Sequence, residues 1–212
     1  MRLFAAVRPP AAALDHLEAA LGAVGRHESS PAVPGAVRWT ARENWHVTLA
    51  FYGEVPDGVS EELAERLGEL AGSTTAPVVE LRGAGVFAGR TLWVGTGGDT
   101  EGLVALCHGA RDVGEAVLGR AEERERVRPH LTIGRQVNDP HARRARSRVR
   151  TRGRADDVAH ALAIYRGPAW TVDELFLVRS EPGRGASGGP LSTDLAEFAL
   201  DPGEGGVPRW AP

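Results

Sequence analysis

Leu3 to Val7 form an unbroken apolar run behind Arg2, the pattern of a strand buried on both faces. Pro9-Pro10 suits the first turn of a helix, and Leu14, Leu17, Leu21 and Val24 then recur at helical spacing as its inner stripe. His16 and His27 fall off that stripe or past its end and are expected in solvent. After a loop at Ser29–Gly35, Val37 to Thr40 can form a short strand. A second helical stripe, Val59, Leu63, Leu67 and Leu70, has Asp57 or Ser60 available as its cap. Val78 to Phe87 and Thr91 to Thr96 read as two strands joined by a tight Ala88-Gly89-Arg90 turn. A third helix starts near Asp99 or Thr100 and turns Leu103, Leu106, Ala110, Val113 and Val117 inward, with Cys107 packed beside them and His108 on the surface. Ala155 to Ile164 suits a short helix, Asp173 to Ser180 a strand, Pro182 to Pro190 a Gly-rich loop and Leu195 to Leu200 a last strand. This order predicts an α+β fold of two similar lobes over residues 1–200, with mainly antiparallel sheets and helices outside. Residues 201–212 carry no pattern and are expected to form a disordered tail.

Two further strand-like runs change the picture. Trp45 to Phe51 and Pro129 to Arg135 each contain His-x-Thr followed by an aliphatic residue. Alternate strand residues share a face. His46 and Thr48 therefore face one way and Val47 and Leu49 the other; His130 and Thr132 repeat this over Leu131 and Ile133. One such motif is weak, because a pattern with two fixed positions recurs by chance. Two, on like-patterned strands in the two halves of the chain, read as an internal duplication. Side by side they bring two imidazoles and two hydroxyls into one groove, which suits a phosphodiester with a proton to move on either side.

Composition narrows the setting. The apolar fraction of 42% supports a buried core, and 27 Gly with 14 Pro imply many turns. The formal charge of −3 excludes a general polycation, so any nucleic-acid contact must come from a local patch. All 25 basic residues are Arg. The single Cys107 excludes an internal disulfide framework and a cysteine-based zinc site. The first apolar run ends at Arg8-Pro9-Pro10, short of a signal-peptide core or membrane span, so a cytoplasmic protein with no membrane contact is expected.

Arg2-Leu3-Phe4, His46 to Val55, Arg128 to Arg135, and Tyr165 to Trp170 ahead of Val178-Arg179-Ser180 together closely resemble the bacterial RNA 2′,3′-cyclic phosphodiesterases. That family, also called the 2′-5′ RNA ligase family, belongs to the two-histidine phosphoesterases, and the resemblance runs from Arg2 to about Leu200. It implies hydrolysis of a terminal 2′,3′-cyclic phosphate on RNA to a 2′-phosphate, with weak reversible 2′-5′ ligation alongside. It also implies a duplicated pair of lobes around a central V-shaped cleft, with no metal and no cofactor; a monomer is expected. Tyr52 stands where the family usually has Leu, and Leu191 where an aromatic residue often follows Gly-Pro.

Such a hydrolysis needs a base to activate water and an acid to protonate the departing ribose oxygen. An ordinary histidine titrates near 6.5, so one neutral and one protonated ring can coexist near neutral pH, which predicts a bell-shaped pH profile. Thr48 and Thr132 can donate to the non-bridging oxygens. The resemblance assigns His130 as base and His46 as acid, a direction the residues alone leave open. It also places Phe51 against a base or ribose and Arg135 on phosphate. Both lie at an odd offset from their histidine, which strict alternation turns away from the site. For Arg135, Gly134 resolves the conflict if it marks a bulge; for Phe51, a core aromatic is an equal reading. Three alternatives remain: the same chemistry on 2′-5′ oligonucleotides or small cyclic nucleotides, a non-catalytic RNA-end-binding module, and a metal site, which the lack of acidic partners in either motif disfavours. Finally, Arg144, Arg146, Arg148, Arg150, Arg152 and Arg154 occupy alternate positions, as a solvated loop or an RNA-tracking arm.

Overall fold

The computed structural model describes residues 1–25, 36–120, 127–137, 154–185 and 189–203. Its strands are β1 (Arg2–Val7), β2 (Val37–Trp39), β3 (Val47–Glu54), β4 (Val78–Phe87), β5 (Thr91–Gly98), β6 (His130–Gln136), β7 (Arg166–Thr171), β8 (Glu174–Glu181) and β9 (Leu191–Ala199). The helices are α1 (Ala11–Ala23), α2 (Ser60–Gly72), α3 (Thr100–Leu118) and α4 (Arg154–Ala161). The strands form one antiparallel sheet in the order β7-β4-β5-β6-β3-β1-β8-β9, with β2 added to β6. The α+β fold of two lobes is as expected, but its two half-sheets are continuous. They join where β3 meets β6, and among the described residues one pair, Val47 with Leu131, registers there.

Helices cover one face of the sheet. α2 and α3 pack on β3, β8 and β9, whereas α1 and α4 pack on β4 to β7. The core between these layers includes Leu3, Val7, Leu17, Leu21, Val47, Leu63, Leu67, Leu81, Val94, Leu103, Leu106, Leu131 and Ile133. Cys107 is buried within it, as expected. Tyr52 fits without loss: its hydroxyl donates to the Ala110 carbonyl at 3.0 Å, and its ring lies against Gly114, where a Cβ would sit 2.6 Å away. A smaller cluster of Phe4, Ala6, Phe176 and Val178, with Phe51 against it, lies on the opposite face of the sheet.

Several boundaries differ from the sequence pattern, for physical reasons. β7 was not legible because Pro168 and Gly167 argue against a strand; it lies at the sheet edge, where a missing N–H costs nothing. β9 starts at Leu191, earlier than its apolar pattern, because its register with β8 carries it through polar Ser192, Thr193 and Asp194. α2 has no side-chain cap; the Ser60 hydroxyl instead donates to the Asp57 carbonyl at 2.8 Å. α4 stops at Ala161, and 162–164 form a turn. His16 is exposed as expected, with Nδ1 3.2 Å from the Tyr165 hydroxyl. His27, the 201–212 tail beyond Gly203 and the alternating arginines before Arg154 lie outside the described residues; Arg154 itself opens α4.

Candidate active site

Val47 and Leu131 are the middle residues of the two His-x-Thr motifs, so their pairing makes the seam a local two-fold. In an antiparallel pair, one step either way sets His46 opposite Thr132 and Thr48 opposite His130. Val47 and Leu131 point into the helix-covered core, both fully buried. The two histidines and two threonines occupy the other face and are partly open.

Bulges decide what joins them. Between β1 and β3, Ala5 pairs with Ala50 and Ala6 with Thr48, so Leu49 is an extra residue; a second shift leaves Tyr52 extra. Alternation in β3 therefore resets, and Phe51 pairs with Phe4 on the histidine face. In β6, Trp93 pairs with Thr132 and Leu92 with Gly134, so Ile133 is extra. Arg135 thus comes to the histidine face, exposed and opposite Thr91 and Arg38. The bulge needs Gly134: a Cβ there would stand 2.7 Å from Val37 Cγ1 and 3.0 Å from the Arg38 carbonyl oxygen. The odd-offset objection fails for both residues. Phe51 is no deep-core aromatic; Arg2 stacks on its ring at 4.8 Å.

The histidines differ in environment. His130 Nδ1 lies 2.7 Å from the Arg128 carbonyl oxygen, so this nitrogen donates and a neutral ring keeps its Nε2 lone pair. His46 stacks on Phe4, with centroids 4.7 Å apart and 27° between planes. Burial holds its pKa well below the ordinary histidine value, at about 4, and the Arg8 guanidinium and His130 act in the same direction. The Asn44 main chain and the Asp194 carboxylate oppose this. Arg8 pairs with Asp194 at 2.5 Å, tying the end of β1 to β9 beside His46.

Sequence reasoning missed the aromatic wall beside His130. The Phe87 ring stacks on Trp93 at 4.9 Å and meets His130 edge-on at 4.9 Å. Arg128 lies over Trp93, its Cζ 4.3 Å from the ring centroid. Trp93 pairs with both Thr132 and Gly85, which puts it on the histidine face, and its indole covers Gly85. The signal was present as Gly85, since an isolated strand glycine often marks a close approach. The cleft face therefore gathers Arg8, Arg38, Arg128 and Arg135 around the two motifs, a local basic patch on a chain of net charge −3. Among the described residues no three His, Cys, Asp or Glu side chains converge to hold a metal ion. None of the described helices is long and apolar enough to cross a membrane.

Known proteins share this arrangement of chain. An RNA 2′,3′-cyclic phosphodiesterase from Aeropyrum pernix is 35% identical over 54% of this chain, a match spanning 66% of that protein, just under two thirds of its length. A protein of the same name from Methanothermobacter thermautotrophicus is 28% identical over 77% of this chain and 83% of its own. In three dimensions the chain is similar to E. coli LigT, solved in complex with ATP, at a TM-score of 0.64 and 25% identity, covering 94% of this chain and 97% of that one. The model of the 2′-5′ RNA ligase superfamily matches residues 15–184, most of the chain, and the protein belongs to that superfamily.

Proposed function

We infer that this chain is an RNA 2′,3′-cyclic phosphodiesterase that opens the terminal cyclic phosphate to a 2′-phosphate by metal-independent acid–base catalysis. The observation that carries the reading is the pairing of the two motif centres, which brings both histidines and both threonines to one open face. Relatives bearing that name support the substrate class.

In this mechanism a water lies against His130 Nε2, which takes its proton as the oxygen attacks phosphorus. The contact from His130 Nδ1 to the Arg128 carbonyl fixes the tautomer for that task. The bond from phosphorus to the ribose O3′ breaks, and His46 gives its proton to O3′. A ring whose free pKa is about 4 is a strong acid, and it must first be charged. The substrate's own anion does this: a unit charge about 4 Å away is worth about 4 kcal/mol at an effective dielectric near 20, or about three pKa units. Thr48 and Thr132 donate to the non-bridging oxygens, where charge builds up in the transition state. Arg135 steadies the phosphate, and Phe51 with Phe4 offers an apolar surface to the sugar or base.

The test is turnover in strong chelator of a short RNA ending in 2′,3′-cyclic phosphate, beside a 2′-5′-linked oligonucleotide and a 3′,5′-cyclic nucleotide. Preference for the first by at least tenfold in kcat/KM is expected. Preference for either of the others, or activity lost to chelator and restored by added Zn²⁺ or Mn²⁺, contradicts the reading.

A further inference from the structure

One cross-strand row of the sheet continues beyond His130. His130 pairs with Gly95, Gly95 with Arg82, and Arg82 with Arg166 on the edge strand β7. Residues directly opposite in adjacent strands share a face, so all four lie on the cleft side. At about 4.8 Å per strand, Arg82 stems from the sheet about 10 Å from His130 and Arg166 about 14 Å. Gly95 puts no side chain between them. The Trp93 ring lies against Gly95, its Cζ3 3.3 Å from where a Cβ would stand; at Gly97, two pairs further along β5 on the same face, the Arg82 stem and Glu80 fill the space, 2.9 Å and 3.0 Å from where a Cβ would stand. The Arg82 side chain therefore lies over β5 at Gly97, beside Glu80 and two residues along from the partner of His130.

Glu80 organises the cluster. Its side chain is 5% exposed, yet it carries two largely exposed arginines, Arg166 at 2.8 Å and Arg82 at 3.7 Å. Tying β7 to β4 needs only Arg166, whose Nε donates to Glu80 Oε2. The second guanidinium leaves the group with net positive charge, held ready at little cost in side-chain entropy.

We propose that Arg82 and Arg166 form a second phosphate subsite, which holds the RNA backbone upstream of the cyclic end. This rests on the reading of the cleft as an RNA-end site. With the cyclic phosphate at His130, the only further phosphates of the substrate lie 5′-ward. The glycine-floored row leads from the histidine to a cationic anchor across a span that exceeds one nucleotide link and suits an extended single strand. The Trp93 ring flanks the row, beside the first base.

Equilibrium binding tests the subsite without turnover. The ligands are a nucleoside 2′-monophosphate and the di- and trinucleotides that end in 2′-phosphate. The parent should bind the trinucleotide at least tenfold more tightly than the mononucleotide. Arg82→Gln keeps the Glu80–Arg166 pair, and the triple variant Glu80→Gln, Arg82→Gln, Arg166→Gln removes the buried charge together with its partners, so that folding survives in at least one. Each should lose most of the gain from added nucleotides, and its salt dependence should flatten by about 0.7 per lost phosphate contact. An unchanged length dependence in folded variants overturns the proposal, leaving the cluster a structural tie. Equal loss at every length overturns it too, by placing the arginines at the terminal phosphate. Failure of the parent to hydrolyse cyclic-phosphate RNA would strike the proposed activity alone.

Discussion

Val47 pairs with Leu131 across the seam of the sheet, and this pair centres the cleft. Its buried side chains fix the register by facing the helical core, so the flanking histidines and threonines must face out. Replacing either His46 or His130 by Ala should therefore leave the fold intact and cost about 10² to 10⁴-fold in kcat/KM. Steady-state rates and thermal unfolding of both variants check this. A single variant with near-parental rate and unchanged stability removes that histidine from the mechanism, and the double variant should lose little more than either single one.

Two pH profiles should part company. The sequence alone expects both limbs near neutrality, but burial lowers free His46 to about 4. As an acid it must be protonated, so the rate falls as pH rises through its pKa. In kcat/KM that limb reports the free protein; in kcat it reports the complex, where the bound anion raises the value. The alkaline limb of kcat should lie at least one unit above that of kcat/KM. Coincident limbs would remove the charging of His46 by substrate.

The same group links stability to acid. Folded His46 sits below the unfolded value near 6.5. Its contribution is full above pH 6.5 and is lost as pH falls from there through about 4, because the unfolded chain binds the extra proton. The loss is on the order of 3 kcal/mol at most. Denaturant unfolding at pH 7 and pH 4.5 should show a smaller acid loss in His46→Gln than in the parent; equal losses would contradict it.

Gly134→Ala should cost about 1 to 3 kcal/mol through overpacking against Val37 and the Arg38 carbonyl. It should also raise KM by disturbing Arg135, whose place on the cleft face depends on the bulge. Arg135→Ser should raise KM with no stability loss. A Gly134→Ala protein of parental stability and KM would show that the bulge tolerates a side chain.

Much of this was legible from residue pattern, and what was not has a common cause. Alternation located β3 and β6 and the facing of His46, Thr48, His130 and Thr132. It failed after one turn of pleat, at Leu49 and Ile133, because a bulge changes parity without changing composition. Gly134 hinted at the second bulge; nothing in Val47–Glu54 hinted at the first, so Phe51 stayed ambiguous. Phe4 was invisible as a histidine partner because β1 is apolar on both faces and shows no alternation. Trp93 and Arg82 depend on the register of the β4–β5 hairpin with Gly85, Gly95 and Gly97, which shifts between Arg82 and Ala84 and which alternation within either strand does not reveal.

Phosphorus NMR of a short RNA ending in 2′,3′-cyclic phosphate, followed with the parent, His46→Ala and His130→Ala, tests the central claim most directly. The account predicts a 2′-phosphate as the product of the parent, formed in chelator, with both variants leaving the cyclic resonance essentially unchanged over the same time. A 3′-phosphate product, or conversion by either variant at the parental rate, would contradict it.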